Sequence, residues 1–239
     1  MRESSEFVVA ACFCTAFLLT GCGDRENTET SASRPYARTG VPVSDTVSAA
    51  GNNRSDSPTV LFVGTSLTAG LGLDPEAAYP SLIADRIDSL GLRYRVVNAG
   101  VSGETSAGAL RRIDWLMRGP VGVFVLETGA NDGLRGLPVD SLRANIREIL
   151  TRVRATHPDA RIVLVGMEAP PNMGSRYTED FRAVYPELAS EFGASLVPFL
   201  LDGVAGVTRF NQADGIHPNE EGAEIVAEAV WRALFPQLR

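Results

Sequence analysis

Five short apolar runs recur in the chain, at residues 60–63, 94–97, 121–126, 162–165 and 196–199. Longer stretches with apolar positions every three or four residues separate them. Short runs without apolar–polar alternation read as strands buried on both faces, and the longer period reads as amphipathic helix. The helical segments fall at 75–90, 106–118, 139–156, 178–192 and 219–235, with Pro75, Pro158 and Pro236 near ends, where a missing N–H is tolerated. Strand and helix alternating in this way imply βαβ units, and hence an α/β fold around a parallel sheet of five strands.

Upstream the pattern changes. Residues 23–57 hold mostly Ser, Thr, Asn, Asp, Arg, Gly and Pro, too little apolar surface to offset the entropy of ordering, and read as a flexible tether. Residues 7–19 are apolar; that is short of the ~20 residues a membrane span needs, but it matches the core of a signal peptide. The flank is unusual, because Arg2 is offset by Glu3 and Glu6. Leu19-Thr20-Gly21-Cys22 resembles the lipobox of bacterial lipoproteins, which implies lipidation of Cys22 and cleavage just before it. The expected organisation is a signal peptide at 1–21, a tether at 22–57 and one globular domain at 58–239, exported and held to a membrane by lipid.

A chain of 239 residues, 44% hydrophobic, suits one or at most two domains with a sizeable core. Its net charge of −7 argues against a nucleic-acid partner, which needs clustered positive charge. Cys12, Cys14 and Cys22 all precede the domain, so neither a disulfide nor a thiolate metal site is expected within it. No metal-ligand cluster or phosphate-cradling glycine loop stands out, and no cofactor is expected.

The chemistry concentrates in Asp214-Gly215-Ile216-His217-Pro218, where a carboxylate precedes one of only two histidines by three residues. An Asp accepting from one imidazole nitrogen fixes the tautomer, so the other nitrogen can take a proton from a serine hydroxyl. The best serine is Ser66, at the tip of the first apolar run, in Gly64-Thr65-Ser66-Leu67-Thr68. That is not the Gly-x-Ser-x-Gly elbow of α/β-hydrolases, which disfavours their fold. Taken singly, each residue also has a structural reading. Ser66 could cap a helix, Asp214 could make a turn with Gly215, and Asn131 and Asp132 could make one with Gly133. His157, before Pro158, reads as a helix C-terminal residue without a catalytic role. Glu104, Glu127 and Glu168 read as structural hydrogen-bonding groups.

Four separated blocks, Gly64-Thr65-Ser66-Leu67-Thr68, Gly100-Val101-Ser102-Gly103-Glu104-Thr105, Gly129-Ala130-Asn131-Asp132-Gly133 and Asp214-Gly215-Ile216-His217-Pro218, resemble in this order those of SGNH (GDSL-type) hydrolases. The nearest branch is the arylesterase, thioesterase I and lysophospholipase L1 group. Met167-Glu168-Ala169-Pro170-Pro171-Asn172 is also similar to that branch. The resemblance implies a three-layer α/β/α sandwich with flavodoxin-like strand order. It also implies Ser66 as nucleophile, His217 as base, Asp214 as its orienting partner, and an oxyanion hole made by the N–H groups of Ser66 and Gly103 with the Asn131 amide. The implied substrates are small-molecule or lipid esters: aryl esters, short or medium acyl esters, thioesters or lysophospholipids. An O-deacetylase of envelope polysaccharide and a catalytically silent ligand-binding lipoprotein are the alternatives. Apolar residues flanking the blocks, Leu67, Leu71, Leu134, Leu137, Met173, Tyr177, Phe210 and Ile216, are the candidate acyl pocket. One position departs from the family: the first block usually reads Gly-Asp-Ser, and here Thr65 stands in place of the Asp.

Overall fold

The computed structural model describes residues 57–238. The expected signal peptide, Cys22 and all but the last residue of the expected tether lie outside them. Five parallel strands are formed: β1 (Thr59–Gly64), β2 (Arg95–Gly100), β3 (Val121–Glu127), β4 (Arg161–Val165) and β5 (Ser195–Val197). Val60–Val63, Val123–Leu126 and Ile162–Val165 are buried, as uniform apolar runs require of strands covered on both faces. β2 and β5 are the edges. β2 continues three residues past its apolar run, because its backbone pairs with β1 to the tip, with Gly64 opposite Gly100. β5 stops short of its expected end at Pro198, which has no N–H for the ladder.

The helices are α1 (Ser66–Ala69), α2 (Tyr79–Ser89), α3 (Ser106–Leu116), α4 (Ala130–Leu134), α5 (Val139–Thr156), α6 (Ser175–Phe192) and α7 (Glu220–Leu234). The expected helix at 75–90 is divided: Pro75–Ala77 form a 3-10 turn, and α2 begins only at Tyr79. Pro80 explains the break, since proline is tolerated in the first turn of a helix and not in its interior. α7 starts cleanly because the Asn219 side chain accepts from the Gly222 N–H at 3.0 Å. α1 and α4 were not legible as helices. Each is too short to show a period and occupies what reads as loop.

Strand order is β2-β1-β3-β4-β5. Right-handed crossovers then decide the layers. The path from β1 to β2 runs in one direction and every later crossover runs in the other, so α2 lies on one face and α3, α5 and α6 on the opposite one. The packing agrees: α3 against α5, α5 against α6, and α2 against α7. This is the expected α/β/α sandwich with flavodoxin-like order. The order reverses between β1 and β3, and the crevice beyond the carboxyl ends of strands at such a reversal is where open parallel sheets bind ligands.

Candidate active site

β1 delivers its tip residues into that crevice. Thr65 is extended (φ −95°, ψ −154°) and its hydroxyl accepts from the Leu67 N–H, which makes Thr65, and not Ser66, the cap of α1. Ser66 is therefore the first helical residue, with its hydroxyl free for other work.

The partner comes from the loop before α7. There the Gln212 N–H donates to the His217 carbonyl at 2.8 Å, and Asn211 bridges Pro218, so the segment between them closes into a tight loop. Asp214 Oδ1 accepts the N–H groups of Ile216 (2.9 Å) and His217 (3.0 Å), while Oδ2 meets His217 Nδ1 at 2.6 Å. Asp214 is thus a turn residue and a histidine partner at once. His217 Nε2 lies 2.8 Å from Ser66 Oγ, across 151 residues of chain. With Nδ1–H given to Asp214, Nε2 is left as the acceptor for the serine proton. The bond to His217 and the two N–H groups hold the Asp214 carboxyl down at about 2. It is ionised wherever an imidazole can act as base.

Gly103 and Asn131 face the same crevice. Gly103 has φ +78°, and a Cβ there would meet nothing closer than Arg135 Nη2 at 4.0 Å. Its left-handed backbone, and not crowding by neighbouring protein atoms, is what favours glycine there. The Gly103 carbonyl is held by Arg135 Nη2 at 2.9 Å. Asn131 sits in the first turn of α4, where its Nδ2 donates to the Glu104 carbonyl at 3.0 Å. An amide nitrogen has two protons, so one remains for a ligand. Beside it Asp132 is buried and accepts from the Ser106 N–H (2.9 Å) and hydroxyl (2.5 Å), which ties α4 to the start of α3.

A cleft of about 460 Å³ opens at these groups, with Ser66, His217, Gly103 and Asn131 among its lining residues. Of the expected acyl-pocket residues, Leu67, Leu71, Leu134 and Ile216 line it. The other four do not. Tyr177 stacks on Phe181 (centroids 6.1 Å apart), packs against the core and donates to the Leu137 carbonyl at 2.7 Å, which holds the backbone of the loop at Leu137. Met173 and Tyr177 line a separate open hollow. Phe210 packs on the core, with the Arg209 guanidinium 5.4 Å from its ring centroid. The rest of the apolar wall includes Met167, Ala169, Pro170, Phe199 and Leu201. The Met167–Pro171 segment carried the family resemblance, a signal that could have placed it in the cleft.

The carboxylates read as structural do find partners. Glu104 pairs with Arg112, Glu168 with Arg182 at 3.2 Å, and Glu127 accepts hydrogen bonds from Thr65 and Thr68. His157 closes α5, and its Nε2 meets the Met117 carbonyl at 2.9 Å, at the end of the sheet where β3 and β4 begin, away from the cleft.

A serine, histidine and aspartate in hydrogen-bonded series, at the reversal point of an α/β/α sandwich and at the mouth of an apolar cleft, form the arrangement that acyl transfer by a serine requires. The chain belongs to the GDSL-like lipase/acylhydrolase family, which it matches over residues 62–225, and it is an ester hydrolase. It is 42% identical to esterase TesA of Pseudomonas aeruginosa over 181 residues, covering 75% of this chain and 89% of that protein. With the thioesterase 1/protease 1/lysophospholipase L1 of Escherichia coli K12 it shares 38% identity over 179 residues, covering 74% and 84%. The crystal structure of TesA superposes with a TM-score of 0.71 at 42% identity, over 75% of this chain and 99% of that one.

Proposed function

We propose that the protein hydrolyses acyl and aryl esters through an acyl-enzyme on Ser66. Ser66 Oγ attacks the ester carbonyl carbon as its proton passes to His217 Nε2, and Asp214 balances the imidazolium. The oxygen that becomes negative accepts from the N–H groups of Ser66 and Gly103 and the free proton of the Asn131 amide. Collapse breaks the bond to the alcohol oxygen, which leaves with the proton from His217. Water then attacks the acyl-enzyme, its proton passes to His217, and the acid departs as Ser66 recovers a proton.

The observation that carries this reading is the unbroken series Ser66 Oγ–His217 Nε2 (2.8 Å) and His217 Nδ1–Asp214 Oδ2 (2.6 Å). The cleft supports a substrate with an apolar acyl chain of short to medium length, with thioesters and lysophospholipids in the same class. Its walls are Leu, Met, Pro, Phe and Ile side chains, with Leu71, Leu134 and Ile216 exposed at the mouth. A sugar O-deacetylase would need polar groups to hold the carbohydrate and room for one methyl. A p-nitrophenyl ester series of rising chain length, run on the full chain beside Ser66→Ala, tests this. Hydrolysis of butyrate and longer esters, absent in the variant, is expected; equal rates for the two proteins would remove the nucleophile, and acetate-only turnover would favour the deacetylase.

The lipobox-like Leu19–Cys22 segment supports a further part of the proposal, that Cys22 carries a lipid anchor and the domain works outside the cytoplasm. Cys22→Ser should move the protein from the membrane to the soluble fraction; unchanged partition would refute the anchor.

A further inference from the structure

One buried carboxyl group has no part in the steps above. Glu127 is the last residue of β3, and the register that sets Val63 beside Leu126 brings Glu127 next to Gly64 at the tip of β1. Its side chain is fully buried, with no cation bonded to it among the described residues. Instead it takes three donors from the nucleophile turn: the Thr65 N–H at 2.7 Å, the Thr65 hydroxyl at 2.9 Å and the Thr68 hydroxyl at 2.9 Å. Behind Thr68 stands the Tyr79 hydroxyl, 2.8 Å from Thr68 Oγ1. The fit is close enough to dictate the residue before the turn. A Cβ on Gly64 would collide with Thr68 Oγ1 and lie 2.7 Å from Glu127 Oε2.

The contacts fall on both sides of Ser66. α1 has only four residues, and a helix that short has no stability of its own. What orients Ser66 must come from outside the helix. Asn98 Nδ2 holds the Thr68 carbonyl at 2.8 Å, and Glu127 holds the other three points. Everything aimed at Glu127 is a donor, so the site calls for an acceptor-only group, which among neutral and charged side chains is a carboxylate. Burial pushes this carboxyl up from its ordinary value, and the donors from Thr65 and Thr68 pull the other way.

We propose that Glu127 is a positioning residue for the reaction, holding the Ser66 hydroxyl and N–H in register with His217 by clamping Thr65 and Thr68. Threonine at position 65 is part of the clamp. The family usually has Asp there, and an Asp would bring a second carboxyl against Glu127 in a dry site, where both cannot ionise. Threonine supplies a donor instead. This rests on the reading of Ser66 as nucleophile.

The test is steady-state kinetics of the full chain, normalised to the fraction of protein labelled at Ser66 by a fluorophosphonate, for Glu127→Gln, Thr65→Val, Thr65→Ser and the Glu127→Gln/Thr65→Val double variant. Glu127→Gln, which turns an N–H toward the clamp donors, should lower kcat by about 10²-fold with KM little changed, since a misplacement of about 1 Å can cost that much. Thr65→Val should lower kcat by about tenfold, and Thr65→Ser should restore most of it. The double variant should be no slower than Glu127→Gln, because both changes open the same clamp. Should Glu127→Gln fail to fold, the valine and serine variants carry the comparison. Unchanged kcat per labelled site, even with a lower Tm, would overturn the proposal and leave Glu127 a structural residue. Failure of the wild type to label at Ser66 would instead overturn the nucleophile itself.

Discussion

Asn131→Ala separates catalysis from stability at the proposed oxyanion hole. Among the described residues the Asn131 side chain makes a single hydrogen bond, from Nδ2 to the Glu104 carbonyl, at a half-buried position. Losing one such bond costs about 0.5–1.5 kcal/mol, which for a domain of this size lowers Tm by about 1–6 °C. α4 itself is held by the neighbouring Asp132–Ser106 bonds, which the substitution leaves in place. The effect on rate should be far larger. An oxyanion donor acts on charge that exists only in the transition state, so its loss costs about 10²–10³ in kcat, or roughly 2.7–4 kcal/mol, with KM changing by no more than about threefold. Asn131→Asp should be at least as slow, because a carboxylate in the same place offers acceptors to a developing negative charge. Steady-state hydrolysis of a p-nitrophenyl ester, with thermal unfolding run on the same samples, gives both quantities. A kcat within about threefold of wild type, or a kcat loss matched by a Tm loss of about ten degrees or more, would refute the donor role.

Other substitutions probe the site from different directions. Asp214→Asn should lower kcat on the order of 10³–10⁴-fold by spoiling the imidazole tautomer; a variant still at about a tenth of the wild-type rate would contradict that. The Asp214 carboxyl is depressed to about 2 from 3.8, so what it contributes to stability is present above about pH 4 and lost as pH falls through about 2. It should add no inflection to the rate profile above about pH 4, and the stability advantage of wild type over Asp214→Asn should be constant above that pH and shrink as pH falls toward about 2. Gly103→Ala should destabilise by about 1–2 kcal/mol through its positive φ, and Gly103→Asn by less, because asparagine tolerates that region; equal losses would point to crowding. Thr65→Asp should keep activity within about tenfold while the introduced carboxyl and Glu127 share a proton, and lose it as pH rises and that proton departs. Tyr79 and Tyr185, the other titratable groups coupled to Glu127, are both raised by burial and by the Glu127 charge and stay neutral throughout. A flat wild-type-like profile for Thr65→Asp would contradict the contact. Met167→Trp should fill the cleft and move the preferred ester to a shorter chain, read from the same p-nitrophenyl series.

Much of this was legible in the residues, for reasons that are physical. β1, β3 and β4 are covered on both faces, so their apolar runs are uniform and their lengths nearly right. Asp214 and His217 are local to each other, and three residues of spacing is enough to suggest the pair. What periodicity could not supply was the meeting of Ser66 with His217, a contact across 151 residues that depends on strand order. The acyl pocket was half legible. Leu67, Leu71, Leu134 and Ile216 flank the blocks and line the cleft, whereas Met173 and Tyr177 line a separate hollow, Phe210 packs on the core and Leu137 is outside the cleft lining. Sequence proximity fixes where a backbone goes and leaves the side-chain direction open. Glu127 was legible as a structural hydrogen-bonding group, but its partners, Thr65 and Thr68, were not. A lone carboxylate closing an apolar strand run sits where burial is expected, and such a group needs donors around it.

The most direct measurement is peptide mapping by mass spectrometry of the full chain after reaction with a fluorophosphonate. One phosphonyl adduct, on the peptide carrying Ser66, with its formation slowed at least about a hundredfold in His217→Ala, is the predicted result. An adduct on another residue, or one that forms on Ser66 at the same rate without the imidazole, would contradict the account.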